Sequence, residues 1–259
     1  MQGLAFLAAL SLGLPVAVLV GRAVLDGALF ASATVRVVVD ALVLSLVTTS
    51  ISLVLTVIIG IPLALLLARR TFRGQTLVET VIDLPIVLPP SVAGLALLLV
   101  FGRRGLLGET LSVFGIEIAF TTVAVILAQT FVSAPFFIRS ARTGFASVDR
   151  DLEDAARVDG ASERQLFRTI TLPLASASLA AGLVMSWARA LGEFGATIMF
   201  AGSVARTTQT LPLVVYAEFQ GGDLDAAIAA AAVLVLAAFG VLIAVRILHV
   251  GRALDVRVA

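Results

Sequence analysis

Six stretches of this sequence carry no charged side chain: 1–21, 41–68, 84–102, 118–138, 169–188 and 226–245. A helix needs about 20 apolar residues to cross the hydrocarbon core of a bilayer. Each stretch has about that length, and only 14% of the whole chain is charged, against roughly 25% in a soluble domain. The sequence therefore predicts an all-α membrane protein with six transmembrane helices. No positive segment precedes the first run, so it is expected to be a span and not a signal peptide. The second run is longer than a bilayer requires and holds Gly60 and Pro62 late in it, which predicts a tilt, a kink or an extension into water. Pro85, Pro89 and Pro90 make the first half of the third run a poor helix. Between the fifth and sixth runs, 194–205 and 207–217 are too short to cross. They read as an extension of the fifth span and a short re-entrant or surface helix, tolerated at membrane depth only inside protein or along a cavity.

Arginine positions orient the spans. All eighteen basic residues are arginine. With the N-terminus inside, residues 69–83, 139–168 and 246–257 hold twelve of them, and the outer segments hold six. The expected topology is N-in, C-in.

The longest polar run, Asp149 to Pro173, then lies in the cytoplasm. Asp151 is expected to cap a helix whose first turn holds Glu153 and Asp154, acids that suit a helix N-terminus. Gly160 can end that helix in the left-handed conformation. Ser162 can start a second one, with Gln165 three residues on as in a capping box. Two short helices would meet at a glycine elbow between two spans. Ala155 and Ala156 are small enough to let a partner surface approach the backbone.

Missing residue types exclude several functions. The chain has no cysteine, no lysine and one histidine, His249. Thiol chemistry, histidine-based metal sites and an ordinary P-loop, which needs its lysine, are ruled out. No metal or cofactor is expected on this chain. A net charge of +1 gives no reason to expect nucleic acid.

Glu153-Asp154-Ala155-Ala156, Gly160 and Ile170-x-Leu172-Pro173 resemble the EAA loop of ABC-importer permeases. The resemblance implies the type I permease fold. It also implies a coupling helix, carried by Glu153, Ala155, Ala156, Gly160, Ile170, Leu172 and Pro173, that docks on an ATPase subunit. The expected domains are 1–38, a first helix and outer loop; 39–250, the ABC transmembrane domain with its coupling loop at 149–173; and 251–259, a cytoplasmic tail. Implied partners are a P-loop ATPase pair, which holds ATP and Mg, a second copy of the chain, and an extracytoplasmic oxyanion-binding protein.

RALGEFGATIMFAGS, residues 189–203, supplies a second candidate site. Arg189 and Glu193 stand four apart and can pair on one helix face. They either only neutralise one another or form a polar constriction on a substrate path, with Gly192 and Gly195 allowing close approach or a bend, and Thr197 and Ser203 beside them. This run resembles the same position in molybdate permeases, as do LPIVLPPSVAGLALLLVFGRRGLLG at 84–108 and TLPLVVYAEF. Sulfate permeases look similar but less so. The resemblance implies import of molybdate, with tungstate alongside, or else of sulfate or another oxyanion. Polar residues in the second and fourth spans, including Thr49, Ser52, Gln129 and Thr130, are expected mainly to serve packing. A gradient-driven secondary anion transporter would need carboxylates near the bilayer middle and two matching halves, and neither is found in the sequence. A membrane enzyme would have few catalytic side chains to work with.

Overall fold

The computed structural model describes residues 2–26 and 32–255. The described chain is built from helices: α1 Gln2–Leu25, α2 Ser32–Arg69, α3 Gln75–Val87, α4 Pro90–Phe101, α5 Gly108–Val113, α6 Thr122–Ala146, α7 Arg150–Val158, α8 Glu163–Leu166, a π turn Phe167–Thr171, α9 Leu172–Leu191, α10 Gly195–Phe200, α11 Leu211–Gly221 and α12 Leu224–Asp255. Among the described residues, four helical stretches are long and apolar enough to cross a membrane: Val35–Arg69, Thr122–Ala146, Glu163–Leu191 and Leu224–Ile243.

The third run departs from a simple span. Its prolines do not spoil a helix; they divide one. α3 holds Pro85 and stops at Val87, Pro90 opens α4 at a position where its missing N–H costs nothing, and the two helices bend by 118°. The pair can count as one broken crossing, which would make a fifth. α1 has 24 residues, within which Leu10–Leu25 is apolar but short for a span. α2 has 38 residues and stays helical through Pro62 to Arg69. At 1.5 Å per residue it is about 57 Å long, so its end must leave the hydrocarbon, as the length of the run predicted. α12 runs on to Asp255, into the stretch expected as a tail, and residues 256–259 lie outside the described part.

The chain divides into two compact units, Thr48–Ala201 and a second made of 1–47 with 202–259. In the second unit α12 packs against α1 and α11. Its core includes Val38, Ala41, Leu211, Val214 and Ala230. α11 begins without a side-chain cap of its own. Ser45 Oγ on α2 takes the role, accepting from Leu211 N at 2.8 Å, so a hydroxyl of the second run satisfies a helix end.

In the Thr48–Ala201 unit the main seam joins α6 to α9. It is built from small residues. A methyl on Gly144 would meet Ser178 Cβ at 2.6 Å, and one on Gly182 would meet Ser140 Cβ at 2.8 Å. Ser140 Oγ donates to the Ser178 carbonyl at 2.6 Å, and Ser186 Oγ to the Ser133 carbonyl at 3.0 Å. Between apolar solvent and apolar helices no hydrophobic force drives pairing, so close backbones and such bonds hold the seam. Gln129 donates to Thr49 Oγ1 at 3.3 Å and Thr130 to Ser52 Oγ at 3.0 Å, which joins α6 to α2. α10 packs on α4 and α6 around Ala93, Leu97, Ala128, Ala196 and Phe200. There Gly94 is required for space: its Cβ would lie 2.5 Å from the Ala196 carbonyl oxygen and 2.8 Å from Ala196 Cα.

That contact is with backbone and cannot swing aside. Gly94→Ala is therefore expected to cost about 1–3 kcal/mol through overpacking. Gly13→Ala, where a Cβ meets nothing within 4 Å, should be neutral or gain up to about 1 kcal/mol from helix propensity. Thermal unfolding of the detergent-purified protein checks both.

Candidate functional site

The polar loop folds as a helical elbow, and each local signal has a structural counterpart. α7 starts two residues earlier than the sequence suggested. Asp149, with extended backbone, is its cap, and its Oδ1 accepts from Asp151 N at 3.0 Å. Asp151 instead joins Glu153 in the first turn, where an acid meets the positive end of the helix dipole. Gly160 has φ +88°, the left-handed region. Its N–H donates to the Arg157 carbonyl and that of Ala161 to the Ala156 carbonyl, the paired bonds of a Schellman ending. Ser162 and Gln165 form the capping box: Gln165 N donates to Ser162 Oγ at 3.4 Å, and Ser162 N donates to Gln165 Oε1 at 3.0 Å.

Arg157 braces the elbow from outside. It reaches Asp154 at 2.7 Å and, across the turn, Glu163 at 2.8 Å. The Glu163 bond, helped by Asp154 and partly offset by desolvation, raises the Arg157 pKa above its ordinary value. These are exposed pairs, weakened by water and salt, so they set direction more than stability.

The second short helix is not separate from the fifth span. α8 runs straight into the π turn and on into α9. Pro173 stands at the start of α9 and would crowd the Thr169 carbonyl in a regular helix. The chain takes its wide turn just there, with Leu172 N donating to the Phe167 carbonyl.

Glu153 is the only buried side chain of α7, 5% exposed. Its Oε1 accepts from two donors: Arg69 at the end of α2, at 2.6 Å, and Thr171 in the π turn, at 2.7 Å. Ala156, Ile170 and Leu172 are half-buried, while Ala155, Gly160 and Pro173 are exposed. The loop residues are thus gathered in one place, with Ala155 and Gly160 facing out. Sequence reasoning singled out neither Arg69 nor Thr171. Arg69 is 84 residues from Glu153; its one signal is that it is the first charge after the second uncharged run.

At the second candidate site, Arg189 pairs with Glu193 at 2.6 Å, as the spacing predicted. Glu193 is 1% exposed. The arginine approaches Oε2 off the hydrogen-bonding direction, which leaves that oxygen without a hydrogen bond and the attraction mainly Coulombic. The other oxygen accepts from Ala196 N at 2.7 Å and so caps α10. Gly195 permits close approach, since its Cβ would sit 2.7 Å from Pro90 Cβ. At Gly192, with φ −85°, a Cβ would meet only the Ala188 carbonyl oxygen, at an ordinary 3.6 Å, so nothing there requires glycine. Thr197 is fully buried, and its hydroxyl has no hydrogen-bond partner. Ser203 is exposed and belongs to the other unit.

Residues 60–255 match the family described as binding-protein-dependent transport system inner membrane component. The chain belongs to this family. The permease is also 46% identical over 198 residues to the molybdenum transport system permease protein ModB of Mycobacterium tuberculosis, covering 76% of this chain and 75% of that one. It is 43% identical over 191 residues to ModB of Escherichia coli, covering 73% and 83%. A crystal structure of a bacterial ABC transporter involved in the import of the acidic polysaccharide alginate superposes with TM-score 0.65 at 22% identity, covering 83% of the permease and 79% of that chain. The structure of an amino acid ABC transporter with histidines gives 0.58 at 19%, covering 83% and 93%. These two likenesses speak for the fold: an all-α membrane protein with the ABC-importer permease architecture.

Glu193 has two tasks in this permease, and two substitutions separate them. Glu193→Ala strands both Arg189 and the Ala196 N–H and is expected to cost about 3 kcal/mol or more. Glu193→Gln keeps an oxygen for the cap and should cost less than half of that. Thermal unfolding of the purified variants gives both values.

Proposed function

We propose that this chain is the permease subunit of an ATP-driven importer of a tetrahedral oxyanion, molybdate, with tungstate carried as well. The observation that carries the cargo is the 46%, 43% and 41% identity to relatives named as molybdenum transport permeases, from M. tuberculosis, E. coli and, as a putative one, Bacillus subtilis. Two copies form the pathway, and two P-loop ATPase subunits sit beneath. The absence of lysine supports a separate ATPase. A binding protein outside delivers the anion. The family description supports this, as does a structural neighbour, TM-score 0.64, solved with a bound periplasmic protein.

In this reading the six crossings are α1, α2, the bent pair α3–α4, α6, α8–α9 and α12. Both ends of the chain face the cytoplasm, and the functional division is 1–38, 39–250 and 251–259. The coupling surface is Glu153, Ala155, Ala156, Gly160, Ile170, Leu172 and Pro173. ATP binding draws the two ATPase subunits together, the loops follow, and the spans tilt outward; hydrolysis reverses the motion. Arg189, Gly192, Glu193, Gly195, Thr197 and Ser203 mark a polar point on the path. A pathway must release its ion, so it binds weakly. With the fixed charges of Arg189 and Glu193 cancelled and hydroxyls nearby, it suits a small hydrated anion in transit. The permease breaks no bond of its cargo.

Orientation is checked by single cysteines in this cysteine-free chain. Ser162→Cys in the exposed elbow should resist an impermeant thiol reagent applied to intact cells and react after permeabilisation. Leu106→Cys, at a position 81% exposed after α4, should react from outside; the reverse pattern would invert the topology.

The cargo is checked in vesicles holding the complete complex with its binding protein. Labelled molybdate and tungstate should enter on ATP addition at similar rates, and sulfate far more slowly. Sulfate uptake faster than molybdate at micromolar supply would assign the chain to sulfate.

A further inference from the structure

α7 is held to the spans in an unusual way for a helix that must transmit force. Of its nine residues only Glu153 is buried, while Leu152 and Val158 are 50% and 87% exposed. No apolar face of α7 is packed down. A cavity of about 680 Å³ lies beside Glu153, lined among others by Pro62, Leu66, Arg69, Phe167 and Thr171, so packing does not brace the helix on that side either. The exposed bonds from Arg157 to Glu163 and from Arg150 to the Arg69 carbonyl, at 2.8 and 3.4 Å, lie in water, and the buried hold on α7 is one carboxylate oxygen with two donors. Arg69 NH2 comes from the last residue of α2 and Thr171 Oγ1 from the turn that leads into α9. The Arg69 side chain is 17% exposed and that of Glu153 6%, with Thr171 at 2% overall. A largely buried pair is screened less by salt than an exposed one. Each is also on the favourable end of its helix, the acid in the first turn of α7 and the cation in the last turn of α2.

We propose that Arg69 and Thr171 are positioning residues for energy coupling: with Glu153 they clamp the loop helix to two spans at once, so that a displacement of α7 moves α2 and α9 together. This rests on the reading of the loop as the ATPase contact. Neither residue touches cargo or nucleotide. Loosening the clamp lets α7 follow the ATPase while the spans lag behind it. ATP is then hydrolysed without matching transport.

The test uses the full complex, with binding protein, in vesicles, and measures phosphate release and labelled molybdate uptake on the same sample. Arg69→Ala should still co-purify with the ATPase and hydrolyse ATP, yet raise the ATP spent per molybdate about fivefold or more, as for an ordinary coupling energy between sites. Thr171→Val keeps the side chain's shape and loses one donor, so a smaller rise is expected; it carries the test if Arg69→Ala does not assemble. Arg69→Glu combined with Glu153→Arg restores the pair and should bring the ratio back toward the parent value. A merely structural role would lower uptake and hydrolysis in step with the amount of complex, leaving the ratio unchanged, and that result overturns the proposal. An unsubstituted chain that does not bind the ATPase would overturn the loop reading itself, and the clamp with it.

Discussion

A carboxylate buried inside a protein must have its partners built into the fold. Glu153 meets that requirement with Arg69 and Thr171, and much of the surrounding architecture follows from it. α2 must stay helical to its last residue to bring Arg69 to the loop. α8 must continue into α9 through a wide turn so that Thr171 faces the same oxygen. Leaving one member of such a set unpaired costs several kcal/mol, whereas the exposed Arg157 pairs could be lost with little effect. The loop is therefore specified by its one buried charge and oriented by its exposed ones.

The membrane-embedded parts obey the complementary rule. With no water to receive them, backbone and hydroxyl groups must find partners inside the protein. Ser45 serves the end of α11, Ser140 and Ser186 serve the α6–α9 seam, and Glu193 serves the end of α10. Gly94 and Gly195 let α10 lie against α4 at distances no larger residue would allow. The same small and polar residues that could have suggested a pore are largely engaged in helix packing. A few buried hydroxyls, those of Thr56, Ser133, Thr197 and Thr210, have no hydrogen-bond partner.

The local features were legible in the sequence because their causes are local. Uncharged length marks α2, α6, α9 and α12. The glycine ending at Gly160, the capping box at Ser162 and Gln165, and the pairing of Arg189 with Glu193 each depend on residues within five positions of one another. The misplaced cap at α7 shows the limit of such reasoning: Asp149 and Asp151 are chemically equal candidates, and only the backbone path, extended at Asp149, decides between them. The three prolines near 85–90 announced a disturbance, but whether they would spoil a helix or join two at a sharp bend depended on what α4 packs against.

Hydropathy, charge and capping residues by themselves determined a multi-span helical protein with one structured polar elbow, since burial in lipid and helix ends obey short-range rules. The tertiary structure decided which distant residues those elements bring together. Arg69 and Glu153 are 84 positions apart, and no periodicity encodes their meeting. It arises because α6 and α9 close on each other through glycine and serine, and because α2 is long enough to end beside the loop that follows α6.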